Sequence, residues 1–257
     1  MAAFEMTRLQ DLYRKQLAYA AAGKAIGANM GYLESKFAME VTLKRQIRVI
    51  DMFAHCIRGT VLEWGCQHGL DSCVLRMRFG ETLDLHSCDV VEEAAYKPFY
   101  EFSGTKYKKI NHDYLLDYEE GTFDVVLSNG VLEHVPDDRA SIREIHRVLK
   151  PKGLFIVTCL PNRWSYTEAF QRYRAGPHHE RLYTLRATKR MLAAEGFETT
   201  EAKYFFMVPT MLQGFPRALR QVYDRLEAVL WLVNDGLERL WPINRLASNL
   251  LMVARKK

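Results

Sequence analysis

The stretch Val61-Leu62-Glu63-Trp64-Gly65-Cys66-Gln67-His68-Gly69 decides the fold of this chain. It begins as a short apolar run with one acidic residue inside it, which predicts a strand. Two glycines follow, and glycine permits a sharp turn and a close approach to a ligand because it has no Cβ. The stretch therefore predicts a strand that leads into a ligand-binding loop.

This loop lacks the spacing of a dinucleotide-binding site. Such a site needs Gly-x-Gly-x-x-Gly, which brings free backbone N–H groups against a pyrophosphate. Gln67 stands at the place of the second glycine, and Leu70 follows Gly69. The sequence therefore argues against a nicotinamide-dependent or flavin-dependent oxidoreductase.

Two later segments predict further strands that end in polar residues. Residues 83–89 are one, and the carboxylate of Asp89 can accept hydrogen bonds from ribose hydroxyls, cap the following helix, or do both. Residues 123–127 are apolar apart from Asp124, which is typical of a strand buried on both faces of a parallel sheet. A turn then exposes Asn129 at the carboxyl end of this strand.

In this order and spacing, the segments resemble class I S-adenosylmethionine-dependent methyltransferases of the small-molecule type, close to the ubiquinone-biosynthesis group. The strongest match is residues 121–137, which resemble that family's fourth strand and the loop after it. The pattern from Glu63 to Gly69 resembles the family's first motif, although Gln67 stands where the family usually has glycine. The resemblance covers residues 60–160.

The resemblance implies that S-adenosylmethionine is the cofactor. An acid at the end of the family's second strand binds the ribose, and this role falls to Asp89. An acid after the third strand commonly binds the adenine amino group, and this role falls to Asp113. The cofactor-binding residues that the resemblance implies are Glu63, Gly65, Cys66, Gly69, Asp89, Val90, Asp113, Tyr114 and Asn129.

Strand patterns near residues 60, 84, 108, 124 and 154 alternate with helical patterns at 70–79, 92–103 and 138–149. This alternation predicts an α/β fold with a doubly wound parallel sheet, which binds ligands at the carboxyl ends of its strands. The resemblance adds a sixth strand near 199–207 and an antiparallel seventh at 249–255. We expect a Rossmann-like sheet of seven strands, six parallel and one antiparallel.

We expect one domain with three regions: a helical N-terminal extension (1–55), a cofactor-binding core (56–208), and a helical insertion with the final strand (209–257). The extension predicts two helices around the loop 27–31, which cover a sheet edge or the active-site mouth. In the family that the sequence resembles, such extensions often cap the cofactor and help to form the acceptor pocket. In this chain the pocket candidates are Tyr19, Met30 and Tyr32.

The insertion carries apolar residues at helical spacing, and acids balance its arginines. An interfacial membrane helix is normally biased toward Lys and Arg. This balance therefore favours packing on the core or on a partner in a homodimer. A lid over a greasy substrate and contact with lipid remain the alternatives.

The composition limits the classes of molecule that the protein is expected to bind and the compartment in which it is expected to lie. The net charge of +5 is spread along the chain without a Lys/Arg block, which argues against a nucleic-acid partner and a polybasic membrane patch. Five cysteines form no Cys-x-x-Cys pair, which suits a reducing compartment. The sequence shows no signal-peptide pattern and no membrane span. We therefore expect a cytoplasmic protein that acts on a small-molecule acceptor.

Methyl transfer to a hydroxyl requires a group that removes the proton. The candidates are His134 after the fourth strand and the pair His178 and His179 after the fifth. His134 also has a structural interpretation, because the Glu-His-Val sequence recurs in the family whatever the substrate.

The sequence predicts no metal. Ubiquinone-biosynthesis O-methyltransferases, which resemble this segment, can hold a divalent cation with an acidic-x-x-Glu-His arrangement. Glu133 and His134 match the latter half, but Gly130 stands where the first acid belongs. Two ligands seldom suffice for a hard cation that prefers several oxygens.

These observations predict methylation of a hydroxyl on a sugar, quinone-like or lipid-linked acceptor. An N- or C-methyltransferase is the alternative among enzymes. A catalytically degenerate, cofactor-binding partner subunit is the alternative from another class, since Gln67 and Gly130 depart from the family's pattern.

Overall fold

The structure is a computed structural model that describes residues 2–112, 114–174, 176, 178–210, 212 and 215–257. Within these residues, seven strands form one sheet. They are β1 (Thr60–Trp64), β2 (Asp84–Asp89), β3 (Lys106–Lys109), β4 (Phe123–Asn129), β5 (Leu149–Pro161), β6 (Phe197–Phe205) and β7 (Asn249–Lys256).

Helices flank this sheet, and further helices precede β1 and lie between β6 and β7. In chain order they are α1 (Ala2–Ala21), α2 (Met30–Phe37), α3 (Glu40–Phe53), α4 (Leu70–Phe79), α5 (Lys97–Ser103), α6 (Asp138–Val148), α7 (Tyr166–Tyr173), α8 (Leu185–Ala194), α9 (Arg217–Arg225) and α10 (Glu227–Arg239). Three short 3₁₀ turns lie at Gly80–Thr82, Glu93–Ala95 and Ile243–Leu246.

The strand order is β3-β2-β1-β4-β5-β7-β6, and it reverses between β1 and β4. The pairings of β1 with β2, β2 with β3, β1 with β4, and β4 with β5 are parallel, whereas β7 is antiparallel to both β5 and β6. The predicted sheet of six parallel strands and one antiparallel strand is confirmed. A sheet of this kind has a crevice where its order reverses, which here lies beyond β1 and β4.

Both faces of the central strands β1 and β4 are buried. Val61 and Val125 pack toward one face with α1, α3, α4 and α5, while Leu62 and Val126 pack toward the other with α6 and α8. Neighbouring residues of β1 and β4 thus enter opposite cores, as the alternation of side chains along a strand requires. This explains why the central strands carry apolar residues at successive positions.

Two predicted helical regions differ from the structure. The N-terminal extension has three helices, because Asn29 accepts a hydrogen bond from the backbone N–H of Tyr32 (3.0 Å) and caps α2 inside the predicted loop. The predicted helix 92–103 is divided into a 3₁₀ turn and α5. Pro98 lies in the first turn of α5, where its missing N–H removes no helical hydrogen bond.

The insertion is helical as predicted, but its apolar face does not pack on the core, and packing on a homodimer partner, the other half of that expectation, stays a prediction. Most of that face is exposed in α9, α10 and the turn after them, with Leu232 and Trp241 at 74% and 77% exposure. The exposed apolar side chains of this region are Leu219, Val222, Leu226, Val229, Leu232, Val233, Leu240, Trp241, Ile243 and Leu246.

The physical reason is that the acids of the insertion point inward. Asp224 accepts from the backbone N–H groups of Val41 (3.1 Å) and Glu40 (3.3 Å) and thereby caps α3. Glu227 and Asp235 form ion pairs with Lys44 and Arg48, also on α3. The acidic side chains of α9 and α10 therefore face the protein.

Within the described residues, no helix combines the length and the apolar character that crossing a membrane requires.

Candidate active site

The loop after β1 is held against the end of β2. The backbone N–H groups of Gly65 (2.9 Å) and Cys66 (3.2 Å) both donate to the carbonyl of Cys88. Gly65 and Gly69 have φ angles of 69° and 67°, in the left-handed region that favours glycine. A Cβ at Gly65 would lie 2.6 Å from the methyl groups of Val131, so packing in the loop also requires glycine there.

Asp89 organises the same loop from the end of β2. Its carboxylate accepts from the backbone N–H groups of Gln67 (2.7 Å), Val90 (2.7 Å) and Val91 (3.3 Å). Burial raises the pKa of Asp89, whereas these N–H bonds oppose the shift. The carboxylate thus ties two strand ends together, and its role toward a ribose stays a prediction.

Glu63 and Asn129 both reach the start of α4. Glu63 is buried and accepts from the backbone N–H (3.0 Å) and the hydroxyl (2.5 Å) of Ser72. The amide of Asn129 donates to Asp71 (3.0 Å), which also accepts from Gln46 on α3. Burial raises the pKa values of Glu63 and Asp71. These contacts fix the walls of the crevice between β1 and β4.

His68 is buried in this loop, and neither of its ring nitrogens has a hydrogen-bond partner within the described part of the chain. Its ring lies 6.0 Å from those of Tyr32 and Tyr96. Burial lowers the pKa of His68 to about 3, so the ring is neutral at physiological pH. Tyr32, one of the predicted pocket candidates, therefore contacts the loop through His68.

The strand ends fit S-adenosylmethionine. Val90 and Tyr114 expose 54% and 45% of their surface beyond β2 and β3, which suits an adenine ring, and Asp89 lies between Val90 and the loop. The orphaned nitrogens of His68 supply unpaired polar atoms in the same loop. Cys66 is buried, and burial raises the pKa of its thiol. Asp113 lies outside the described residues.

A second group of side chains lies beyond β4 and β5, on the side where an acceptor would enter. His179 donates from Nδ1 to Oε1 of Glu168 (2.7 Å), and its backbone N–H donates to Oε2 of the same carboxylate (3.1 Å). The ring of His179 lies 5.7 Å from the ring of His134. The Glu168 hydrogen bond raises the pKa of His179.

Glu133 completes this group. Its side chain is 2% exposed, and its Oε2 has no hydrogen-bond partner among the described residues. Burial raises the pKa of Glu133 to about 7. One potential ligand atom from each of Glu133, His134 and His179 lies within 4.8 Å of the others. Metal independence is expected from the sequence because it offers only two ligands, Glu133 and His134. The structure adds His179 as a third potential ligand, and metal independence stays a prediction.

The structure brings together only two of the three predicted catalytic histidines. His178 is exposed, and its Nδ1 lies 2.8 Å from the carbonyl oxygen of Gly176. It makes no described contact with Glu133, His134 or Glu168. His134 and His179, by contrast, share one cluster.

Three residues of the site were missed by sequence reasoning. Glu168 was detectable, because Ser165-x-x-Glu168 is a capping pattern and Ser165 does cap α7 (3.1 Å). Asp71 could have been suspected as an acid in the first turn after the glycine loop. Arg45 has no local signal; its guanidinium lies 2.8 Å from Sγ of Cys159 and stacks 4.4 Å from the ring centre of Phe206.

Residues 7–202 match the family described as "Methyltransferase domain". This match includes the glycine loop, both strand ends of the crevice and the Glu168–His179 pair. It therefore spans more than half of the chain.

Curated relatives share part of the sequence. The chain is 30% identical over 123 residues to a ubiquinone biosynthesis O-methyltransferase of Pseudomonas paraeruginosa, and the match covers 47% of this chain and 53% of that protein. It is 30% identical over 165 residues to a probable S-adenosylmethionine-dependent methyltransferase of Mycolicibacterium smegmatis, covering 62% of this chain and 60% of that protein. The chain spans about half the length of the curated relatives it matches.

Solved structures share the fold. One is an S-adenosylmethionine-dependent methyltransferase of Thermotoga maritima, described as a possible histamine N-methyltransferase. It superposes with a TM-score of 0.60 at 15% identity, over 88% of this chain and 95% of the other. At this identity, the likeness concerns the fold.

Proposed function

We propose that this chain, which belongs to the methyltransferase-domain family and takes S-adenosylmethionine as its methyl donor, methylates a hydroxyl oxygen of a small-molecule acceptor. The observation that carries the proposal is the pair of Glu168 and His179 beside the buried Glu133. A carboxylate that orients an imidazole is the arrangement that proton removal needs. An amine would need no dedicated base, because its lone pair is already nucleophilic when it is neutral.

The residues on the cofactor side of the site would bind S-adenosylmethionine and orient its methyl group. Bound S-adenosylmethionine supplies a methyl group on a positively charged sulfur, which makes that carbon electrophilic. Asp89 would accept a hydrogen bond from a ribose hydroxyl with the lone pair of Oδ2 that its three backbone donors leave free. Val90 and Tyr114 would cover the faces of the adenine. Rigid positioning of this kind contributes up to about 7–11 kcal/mol to lowering the barrier.

The acceptor side holds the base. Because Nδ1 of His179 donates to Glu168, the neutral ring has its lone pair on Nε2. We assign to Nε2 the removal of the hydroxyl proton as the oxygen–carbon bond forms and the carbon–sulfur bond breaks. Glu168 stabilises the resulting imidazolium, and the proton leaves to water after the product departs. A general base of this kind accelerates a reaction by about 100-fold to 10,000-fold.

An aromatic acceptor with apolar character suits the surroundings of this base. Trp164, Tyr166 and Phe170 are exposed on the loop after β5 and on α7, the helix that carries Glu168. Aromatic side chains at the mouth of a site bind flat, apolar ring systems. This favours a quinone-like or lipid-linked acceptor over a bare sugar.

The test combines a binding measurement with an acceptor screen. Calorimetry gives the affinity for S-adenosylmethionine and S-adenosylhomocysteine, and release of S-adenosylhomocysteine reports turnover on a panel of catechols, hydroquinones, sugars and amines. We expect turnover on hydroxylated aromatic acceptors and its loss in His179→Gln. Turnover on amines that survives His179→Gln would contradict O-methylation, and cofactor binding without turnover on any acceptor would favour a degenerate subunit.

A further inference from the structure

The outward side of the insertion is an unusual surface for a protein in water. We use the name outer face for the exposed side of α9, α10 and the segment that follows them up to Leu246. Its most exposed apolar side chains are Val229, Leu232, Leu240 and Trp241, at 56%, 74%, 52% and 77%. A continuous row of this kind differs from the single exposed apolar residues that any protein carries, and it marks a binding surface.

Charge is distributed unevenly between the two sides of these helices. The acids of the insertion are bound to the protein: Asp224 caps α3, and Glu227 and Asp235 pair with α3 side chains. Glu238 accepts from the backbone N–H of Phe206 (2.8 Å). No described acid of residues 215–246 is left on the outer face.

Three arginines of the same segment are not bound to the protein in this way. Arg225, Arg239 and Arg245 are exposed, and none of them forms an ion pair with a described residue. The acidic and basic residues of the insertion nearly balance in number, but the acids are bound to the protein and these arginines are exposed and unpaired. The outer face thus carries apolar side chains and has unpaired positive charge at its edges, where Arg239 also lines a cavity with Asp235 and Glu238.

We propose that the outer face binds the surface of a lipid bilayer that contains anionic phospholipids. Its apolar side chains would enter the boundary between headgroups and acyl chains, and its arginines would pair with lipid phosphates, as in interfacial helices. With 9 and 13 residues, α9 and α10 are suited to lie along the bilayer surface.

A second copy of the chain is a poorer occupant. A two-fold dimer through this surface brings the same patch of both copies together. The unpaired arginines of one copy would then lie in or beside the interface with those of the other, with no described acid on the outer face to neutralise them. Anionic phosphates remove this repulsion, whereas a second copy increases it.

The outer face is continuous with the acceptor side of the candidate active site. The guanidinium of Arg245 lies 6.0 Å from the ring centre of Trp164, and the amide of Asn162 donates to the carbonyl of Arg245 (2.8 Å). Thr167 on α7 donates to the hydroxyl of Ser248 (3.0 Å). An acceptor dissolved in the bilayer would thus reach α7 directly, a consequence that rests on the proposed function, although binding to the bilayer does not.

Vesicle flotation tests the proposal with the full chain. The protein is mixed with vesicles of phosphatidylcholine, or of phosphatidylcholine and phosphatidylglycerol in equal amounts. We expect it to float only with the anionic vesicles, with a blue shift of tryptophan emission that Trp241→Phe reduces. Arg225→Gln with Arg239→Gln should weaken binding by about 25-fold, since each basic residue near an anionic surface contributes roughly fivefold.

Matched variants make the result specific. Arg186→Gln with Arg190→Gln removes the same charge from exposed positions on α8 and should leave binding unchanged. Leu232→Ser with Trp241→Ser should abolish flotation. Circular dichroism and the calorimetric affinity for S-adenosylhomocysteine verify that each variant is folded, and they keep failure of membrane binding distinguishable from failure of the proposed activity.

Three results would overturn the proposal. One is the absence of flotation with a folded wild-type protein. Another is equal binding to neutral and anionic vesicles, which would remove the role of the arginines. The third is a dimer, measured by light scattering without lipid, that Leu232→Ser with Trp241→Ser dissociates, because the outer face would then be covered by a second copy.

Discussion

Oε1 of Glu168 lies 2.7 Å from Nδ1 of His179, and Oε2 of the same carboxylate accepts from the backbone N–H of His179. Both carboxylate oxygens thus hold one residue, in its ring and in its main chain. The ring position is therefore fixed before any acceptor binds, which is what a proton acceptor requires.

The first prediction concerns the pH dependence of turnover. Glu168 raises the pKa of His179, so kcat should rise with pH through a midpoint above the ordinary value for histidine. Glu168→Gln keeps a hydrogen-bond acceptor but removes the charge, and should shift this midpoint downward and lower kcat by about 10-fold to 100-fold. His178→Gln is the control and should change neither quantity. A midpoint that does not move in Glu168→Gln would contradict the role of the pair.

A second prediction concerns the cofactor. Asp89→Ala should weaken S-adenosylmethionine binding by more than about 1 kcal/mol, roughly fivefold in Kd, because the ribose loses a charged acceptor. Asp117→Ala, which removes an exposed acid paired with Lys108, should leave Kd unchanged in calorimetry. Asp89 also holds three loop N–H groups with both carboxylate oxygens; Asp89→Asn keeps the acceptor for Val90 and Val91, loses the charge and the acceptor for Gln67, and should also weaken binding. Wild-type Kd in both Asp89 variants would refute the assignment.

The third prediction concerns the change of stability with pH. Burial raises the pKa of Glu133 from 4.5 to about 7 in the folded state. Between these values the folded protein binds more protons than the unfolded chain, so this residue makes stability fall as pH rises from about 4.5 to 7. Glu133→Gln removes that dependence. Relative to the wild type, the variant should gain about 1–3 kcal/mol of unfolding free energy at pH 8 compared with pH 5.

Urea denaturation at the two pH values measures this difference. Glu180→Gln changes an exposed glutamate near the same segment and should show no such pH dependence. An equal effect of Glu133→Gln at pH 5 and pH 8 would mean that Glu133 titrates at its ordinary pKa.

A fourth prediction addresses the glycine loop. Gly65→Ala should destabilise the protein by about 1–3 kcal/mol from backbone strain alone, since φ is 69° there. The new methyl group would also lie 2.6 Å from Val131. Adding Val131→Ala should restore the unfolding free energy lost to the steric clash, but not the part lost to backbone strain. If the double variant is as unstable as the sum of the two single variants, the contact with Val131 does not explain the glycine.

The fifth prediction is that turnover needs no metal. Treatment with EDTA should leave kcat unchanged, whereas added Zn²⁺ should inhibit by occupying Glu133, His134 and His179, two imidazoles and a carboxylate that suit zinc. Atomic emission analysis of the purified protein checks for bound metal. Loss of activity in EDTA that Mg²⁺ or Zn²⁺ restores would show a metal enzyme instead.

The sheet was predictable because its central strands carry their own signals. Residues 123–127 are apolar on successive positions, apart from Asp124, since β4 is buried on both faces. Gly65 and Gly69 mark the loop because their backbone conformation favours glycine. The site was only partly predictable. Glu168 meets His179 through the path of the chain after α7, and no local pattern fixes that path.

The orientation of the insertion was not predictable from its composition. Acids and arginines that nearly balance give the same net charge whichever side of a helix faces the protein. In the structure the orientation is set by α3, because its Lys44 and Arg48 bind Glu227 and Asp235 of the insertion. The partner that decides the orientation lies more than 180 residues away in sequence.

The helix α3 carries successive side chains in three directions: Lys44 to the insertion, Arg45 to Cys159, and Gln46 to Asp71 beside the cofactor loop. Each residue of a helix is rotated by about 100° from the one before it. Deleting a single residue ahead of Lys44 would turn all three contacts away from their partners at once. This segment should therefore accept substitutions in evolution far more readily than changes of length.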